Sequence, residues 1–144
     1  MTDDPHHLER FVRAQDGVHA AALTELRAGR KTSHWMWFVF PQLTGLGRSP
    51  IAQQYALDGI AEARAYLAHP VLGPRLLEAT EAAATAQARS VDELLGGIDA
   101  LKLRSSMTLF ARAADDPAPF RVVLERWYAG SEDPVTLRLL RLDE

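Results

Sequence analysis

The segment 30–47 reads RKTSHWMWFVFPQLTGLG and contains the densest run of large side chains in the chain. Two of the three tryptophans, two of the five phenylalanines and one methionine lie within seven residues, from His34 to Phe40. Aromatic side chains bury the most area per residue and dominate core energetics. The run therefore predicts a buried core segment. Polar residues within and beside it also predict the wall of a ligand pocket; these are Arg30, Lys31, Ser33, His34 and Gln42.

Length and composition predict one soluble domain spanning residues 1–144. The chain has no cysteine, which excludes disulfides and thiolate metal sites. A net charge of −3 argues against sequence-independent binding of nucleic acid. The longest apolar run, residues 35–40, is too short to span a bilayer, and the acidic N-terminus is not a secretory signal. We expect a cytoplasmic monomer without a membrane anchor.

Apolar residues recur at helical spacing along the chain, and no segment alternates with period two over several residues. Helix-start signals precede many of these segments: Asp4-Pro5, Ser49-Pro50, Ser90 with Glu93, Asp116-Pro117 and Asp133-Pro134. The pattern predicts an all-α domain of about seven or eight short helices. These helices are shorter and more irregular than those of a four-helix bundle.

Three local expectations can be checked directly against a structure. Asp58 and Asp99 are placed to cap the helices that follow them. Gly73 and Pro74 predict a kink or an early break in the helix that contains them.

Common catalytic and metal-binding motifs are missing from the sequence. It has no GxxxxGK[ST], GxGxxG, HExxH or GxSxG, and its five histidines lack metal-ligand spacing. We therefore expect no metal and no cofactor. Ser105 and Ser106 follow Lys102 closely, but a serine nucleophile with a lysine base needs an activated lysine, which nothing in the sequence indicates.

Three blocks carry a resemblance to a known family. They are residues 29–42 (GRKTSHWMWFVFPQ), 62–76 (EARAYLAHPVLGPRL) and 102–110 (KLRSSMTLF). Together they resemble the signature of a small bacterial family of unknown function, sometimes mislabelled as calpastatin. The resemblance extends from Asp4 to about Leu140 and implies an all-α, single-domain fold.

The same family looks distantly similar to the NADAR (NAD and ADP-ribose associated) proteins. These include N-glycosidases that act on ribosyl-linked bases and on ADP-ribosylated guanine. The resemblance implies a nucleotide-like or ADP-ribose-like ligand and, if the chain is an enzyme, hydrolysis of an N-glycosidic bond. Where we associate a glutamate-bearing aromatic motif with the NADAR enzymes, this chain has His34, Trp35 and Trp37. That difference leaves catalysis open.

Cleavage of an N-glycosidic bond passes through an oxocarbenium-like state, so a site must hold the base, stabilise positive charge and position a water. Asp99 suits the cationic sugar, aromatic rings suit the base, and lysine or arginine suits phosphates. The candidate catalytic residues are Asp99 and His34. The candidate ligand-binding residues are Arg30, Lys31, Trp35, Trp37, Gln42, Lys102 and Ser105.

Two other hypotheses stand beside this ligand site. One is a non-enzymatic protein-interaction module whose aromatic segment is structural core. The other is a helical nucleic-acid binder, with a local basic patch formed by Arg27, Arg30, Lys31 and Arg48. The ligand-site hypothesis predicts that His34 and Lys102 line one concave site, with Trp35 or Trp37 as its wall. Positions on opposite faces would favour the interaction module.

Overall fold

The computed structural model describes residues 4–143, which form ten helices and no strand. Their bounds are α1 Glu9–Gln15, α2 His19–Arg27, α3 Met36–Val39, α4 Pro50–Gln54, α5 Ile60–Ala68, α6 Leu72–Ala84, α7 Val91–Leu95, α8 Gly97–Ala113, α9 Ala118–Tyr128 and α10 Pro134–Asp143. Seven of the ten are seven residues or longer, and α3, α4 and α7 are single turns. The predicted all-α class is confirmed. Across the same residues, no helix is long and apolar enough to cross a membrane.

Three helices begin where the sequence predicts, and in each of them a side-chain oxygen caps the first turn. The side chains of Ser49, Ser90 and Asp133 each accept the backbone N–H three positions later, at 3.2, 3.1 and 3.2 Å. Each bond satisfies one of the N–H groups that a first helical turn leaves without a partner. These local bonds explain why α4, α7 and α10 begin where the sequence predicted.

Two predicted starts are wrong in detail. The Asp4 carboxylate does accept the N–H groups of Leu8 and Glu9, but α1 begins at Glu9 rather than Pro5. The intervening His7 has φ +54°, a left-handed conformation that interrupts a helix. Asp58 does not cap α5, because its carboxylate accepts the hydroxyl of Thr44 instead.

The predicted break at Gly73 and Pro74 is also wrong, since α6 runs unbroken from Leu72 to Ala84. Both residues lie in its first turn, where proline costs no helical hydrogen bond. Gly73 serves another purpose there. A Cβ at this position would lie 2.2 Å from the carbonyl oxygen of Leu67, so glycine lets α6 begin directly against the end of α5.

The core is built around α8, which packs against α5, α7, α9 and α10, while α6 packs against α2, α5 and α9. The aromatic segment lies inside this assembly as a single irregular turn. Its buried members are Trp35, Met36, Phe38, Val39 and Phe40. The prediction of a buried segment is confirmed, with one exception: Trp37 is half-buried and reaches the surface.

A clamp closes the loop that follows the aromatic segment. Leu43 and Leu57 form an isolated parallel bridge. The N–H of Thr44 donates to the Leu57 carbonyl, and the N–H of Leu57 donates to the Gln42 carbonyl, both at 2.8 Å. We name these pairings the 43–57 clamp. It holds the two ends of the loop that contains α4 together.

Candidate functional site

A glycine turn carries the chain from the end of α2 towards α7 and α8. Gly29 has φ +83°, and a Cβ there would lie 2.3 Å from the carbonyl oxygen of Gln87, so the turn requires glycine. Two residues later, the N–H of Lys31 donates to the carbonyl of Leu94 at 2.7 Å. This bond places the Lys31 side chain beside the start of α8.

An open cleft of about 350 Å³ lies between this turn and α8, and we name it the Trp37 cleft. Its lining residues are Lys31, His34, Trp37, Leu95, Gly96, Gly97, Ile98 and Asp99. Ligand pockets in proteins typically measure about 300–1,000 Å³. The cleft is therefore large enough for a small ligand, although it is shallow.

One carboxylate and two ammonium groups meet at the edge of the cleft, where Lys31 and Asp99 line it and Lys102 lies beside Asp99. The Asp99 carboxylate lies 2.9 Å from Lys31 Nζ and 3.4 Å from Lys102 Nζ. The side chains of Lys31 and Asp99 are 9% and 18% exposed, so water screens this pair less than it screens ordinary surface pairs. The three groups together carry a net charge of +1, which favours an anionic ligand.

The same two lysines lie over tryptophan rings. Lys102 Nζ is 4.9 Å from the ring centroid of Trp37, and Lys31 Nζ is 5.2 Å from that of Trp35. Such cation–π contacts hold flexible lysines in place. Lys102 and Gln42 also line a small recess of about 30 Å³, with Trp37 as a shared wall. The recess has space for about two water molecules.

The N-terminus of α8 faces the cleft. The N-cap residue is Gly96, with φ +88°, and no side chain caps this end within residues 4–143. The first-turn N–H groups of a helix lack helical partners and carry partial positive charge. The prediction that Asp99 caps a helix from Ala100 is wrong, because α8 already begins at Gly97. Asp99 lies in its first turn, where a carboxylate interacts favourably with the dipole.

The candidate residues from the sequence separate into two groups. His34 lines the cleft, Lys102 lines the recess, and Trp37 is a wall of both. The prediction that His34 and Lys102 line one concave site is therefore wrong as stated, because Trp37 separates the two cavities. Lys31 and Asp99 lie in the cleft, and Gln42 lies in the recess, so five of the other eight candidates surround Trp37.

The other three candidates lie elsewhere and are removed from the site. Arg30 is exposed outside the cleft and the recess. Ser105 is buried, and its hydroxyl donates to the Asp133 carboxylate at 2.9 Å, on the side of α8 that faces α10. Trp35 is fully buried, and its indole N–H donates to Glu25. Trp35 therefore supports the cleft from inside and cannot stack on a ligand.

Sequence reasoning missed Glu25, which organises the turn. Its carboxylate accepts the N–H groups of Thr32 and Ser33 at 2.7 and 2.9 Å, the Ser33 hydroxyl, and the Trp35 indole N–H at 3.0 Å. Partial burial alone would raise the pKa of Glu25, but these hydrogen bonds outweigh it and lower the pKa to about 2. Glu25 lies seven to ten residues before its partners, and no local motif links them.

A second cleft of about 300 Å³ lies between α5, α8 and α10, and we name it the arginine cleft. Its lining residues are Ile60, Arg64, Arg112, Leu137, Leu140 and Arg141. Arg112 forms two hydrogen bonds of 2.7 Å with the Glu132 carboxylate. Aromatic rings, histidines and carboxylates are not among its lining residues, so it lacks the groups that the Trp37 cleft brings together.

Within residues 4–143, no cluster of three or more histidines and carboxylates is placed to hold a metal ion.

Comparison with known proteins identifies the family. The family model described as “Protein of unknown function (DUF1810)” matches residues 5–140. The chain belongs to this family.

The chain is also similar to a solved structure, the crystal structure of the conserved hypothetical protein Rv1873 from Mycobacterium tuberculosis. The two sequences are 54% identical, the TM-score is 0.93, and the match covers 96% of this chain and 99% of that one. No curated protein matches the chain. The resemblance to a family of unknown function is confirmed, whereas the similarity to NADAR proteins stays a prediction.

Proposed function

We propose that the Trp37 cleft binds a phosphate-bearing, nucleotide-like or ADP-ribose-like ligand. One observation carries this proposal: Lys31, Asp99 and Lys102 meet beside the half-buried Trp37 near the N-terminus of α8. Each of these features has a counterpart in such a ligand. The cleft volume and its net positive charge fit a small anion with an aromatic base.

Phosphate recognition falls to the two lysines and the start of α8. Ammonium groups form strong charge-assisted hydrogen bonds with phosphate oxygens. The first-turn N–H groups of a 17-residue helix add further donors and a favourable dipole. A phosphate bound here would share Lys31 and Lys102 with Asp99, so the ligand competes with an internal carboxylate.

Base recognition falls to Trp37. Its ring is the part of the aromatic segment that reaches the surface, and Lys102 holds it in place. Rings stack on nucleobases without strict base selectivity, because every base presents a π face. His34 and Ile98 border the same cleft and can contact the edges of a stacked base.

The cleft also contains groups suited to hydrolysis of an N-glycosidic bond. In that reaction the base leaves with the electrons of the glycosidic bond and takes up a proton, while water adds to the anomeric carbon and loses a proton. Asp99 would stabilise the positive charge that develops on the ribose. His34 would give the proton to the leaving base, as histidines commonly do near neutral pH. We propose this hydrolysis as the activity of the same site.

The binding test uses Lys102→Ala and calorimetric titration with ADP-ribose. We expect affinity to fall by about tenfold, which corresponds to about 1.4 kcal/mol. Stability should fall by less than about 1 kcal/mol, since partly exposed ion pairs contribute little. Arg141→Ala is the matched control, because it removes one positive charge from the arginine cleft. Absence of binding by the wild-type protein, or equal losses in both variants, would contradict the proposal.

The hydrolysis test follows release of guanosine from ADP-ribosylated guanosine by chromatography, because this leaving group must take up a proton. Asp99→Asn and His34→Gln should each abolish release and leave ADP-ribose binding measurable. Binding without any release by the wild-type protein would remove the reaction and keep the ligand.

An interaction module is the second candidate, and one observation favours it. Ile98 and Leu101 lie one turn apart on α8 and are 74% and 65% exposed, next to the cleft. Exposed apolar side chains that adjoin one another often mark contact surfaces. A partner that binds wild-type protein and the Lys102→Ala variant equally, but not an Ile98→Ser, Leu101→Ser variant, would favour this function over ligand binding.

A further inference from the structure

The turn that carries Lys31 and His34 has the donor pattern of an anion-binding site. Two consecutive N–H groups, from Thr32 and Ser33, point to one carboxylate oxygen of Glu25, together with the indole N–H of Trp35. The Ser33 hydroxyl donates to the other oxygen. Successive backbone N–H groups aimed at one point form a concavity that binds anions in many proteins.

We infer that residues 32–35 form an anion cradle and that Glu25, its resident anion, is a positioning residue of the Trp37 cleft. The positioning role rests on the proposed function, whereas the cradle itself does not. Glu25 lies outside the cleft lining and acts through the turn. Its carboxylate joins α2 to the turn that carries the cleft residues Lys31 and His34.

The position of the cradle explains how the Glu25 carboxylate can affect the geometry of the cleft. Lys31 precedes the cradle and is tied on its other side to Leu94, and His34 lies within the cradle itself. Both side chains line the cleft. Loss of the carboxylate would remove the acceptor of the Trp35 indole N–H, which belongs to a fully buried residue, and this is unfavourable for the folded turn. The exposed N–H groups of Thr32 and Ser33 would bond to water instead and would no longer be held at one point. The turn would then rearrange and carry both cleft residues with it.

The chemistry of the cradle suggests a direct test by chemical rescue. Glu25→Ala removes one methylene group and the carboxylate, and acetate has the matching shape and charge. We expect Glu25→Ala to bind ADP-ribose about tenfold more weakly than the wild-type protein, a change typical of a lost supporting interaction. Added acetate should restore most of this loss. Acetamide, which is similar in shape but neutral, should restore much less, because charge-assisted bonds are roughly twice as strong as neutral ones.

Two matched variants separate the cradle from a general effect of losing a glutamate. Glu78→Ala removes a surface glutamate paired with His19, and acetate should leave its properties unchanged. Glu25→Gln keeps an oxygen for the N–H groups, and the Ser33 hydroxyl can accept from its amide. Its ADP-ribose affinity should therefore stay within about threefold of the wild-type value.

A readout without ligand tests the cradle independently of the proposed function. The NMR resonance of the Trp35 indole N–H should shift in Glu25→Ala and return towards its wild-type position with acetate. If this holds but wild-type protein does not bind ADP-ribose, the cradle stands and the proposed function fails. An indole resonance that acetate does not move, or that acetamide moves equally, overturns the inference. So does wild-type affinity in Glu25→Ala.

Failure of Glu25→Ala to fold in plain buffer would still give an answer. Recovery of folded protein when the variant is refolded in acetate, but not in acetamide, supports the cradle. Equal recovery in both, or none in acetate, overturns it.

Discussion

The aromatic segment has an interior side, which contains Trp35, and a cleft side, which contains Trp37. The two tryptophans are only two positions apart, yet they differ sharply in burial and in polar contacts. Trp35 is fully buried, and its indole N–H is bound by Glu25. Trp37 is half-buried, and its ring forms a wall of two cavities and contacts Lys102. Trp35 is the N-cap of α3 and has the non-helical backbone angles φ −142° and ψ 2°, whereas Trp37 lies within that helix, so the two side chains leave the chain in different directions.

This difference shows that residue type alone does not assign a role. Both tryptophans have a lysine near the ring, yet only one of them is reachable from solvent. What separates them is burial, since Trp35 is enclosed and bonded to Glu25, whereas Trp37 reaches the surface beside Lys102. The interior side should therefore govern stability, and the cleft side should govern binding.

The largest expected effect is on the interior side. Trp35→Ala should lower the free energy of unfolding by about 3–5 kcal/mol, because it leaves a large cavity in the core and removes one hydrogen bond to Glu25. Trp37→Ala should cost about 1 kcal/mol, in keeping with its partial exposure. Urea unfolding of the three proteins measures both values. Similar losses in the two variants would show that the two sides do not differ in the way the structure indicates.

A smaller effect is expected from acid. The folded pKa of Glu25 is about 2, below its ordinary value of 4.5, so its carboxylate stabilises the fold fully above about pH 4.5. That contribution should disappear as pH falls from about 4.5 towards 2. Urea unfolding across this window should show a steeper loss for the wild-type protein than for Glu25→Gln. Parallel curves would mean that Glu25 is not held as the structure shows.

The smallest effect, none, is expected from chelation. On the cleft side, Asp99 is already shared by two lysines, an arrangement unsuited to a divalent cation. EDTA should leave the melting temperature and ADP-ribose affinity unchanged. A drop in either would reveal a metal that contributes to the cleft.

The helical class and most helix starts could be predicted from the sequence because the interactions that set them are local. Ser49, Ser90 and Asp133 cap helices through bonds three residues away. The predicted break at Gly73 and the predicted cap at Asp99 were wrong because contacts with distant parts of the fold decide where those helices begin. Gly73 begins a helix against Leu67, and α8 starts before Asp99.

The candidate site shows the same division. The sequence indicated that polar groups beside an aromatic run would face a cleft, and five of the other eight candidates surround Trp37. Ser105 lies three residues after Lys102 on the same helix, but its side chain bonds to Asp133 at the start of α10 instead of facing the cleft. Glu25 gave no signal, because its four donors lie beyond a glycine turn whose path depends on contacts with Gln87 and Leu94.

The 43–57 clamp has a consequence for motion on the cleft side. The loop it closes contributes Gly47, Ala52 and Tyr55 to the recess beside Trp37, whereas the lysines and Asp99 lie outside the loop. Loops pinned at both ends open as units with their own free energy. In hydrogen exchange, the amides of Thr44 and Leu57 should exchange slowly and together, and most amides between them faster. The recess can thus breathe while the charged groups of the Trp37 cleft stay fixed.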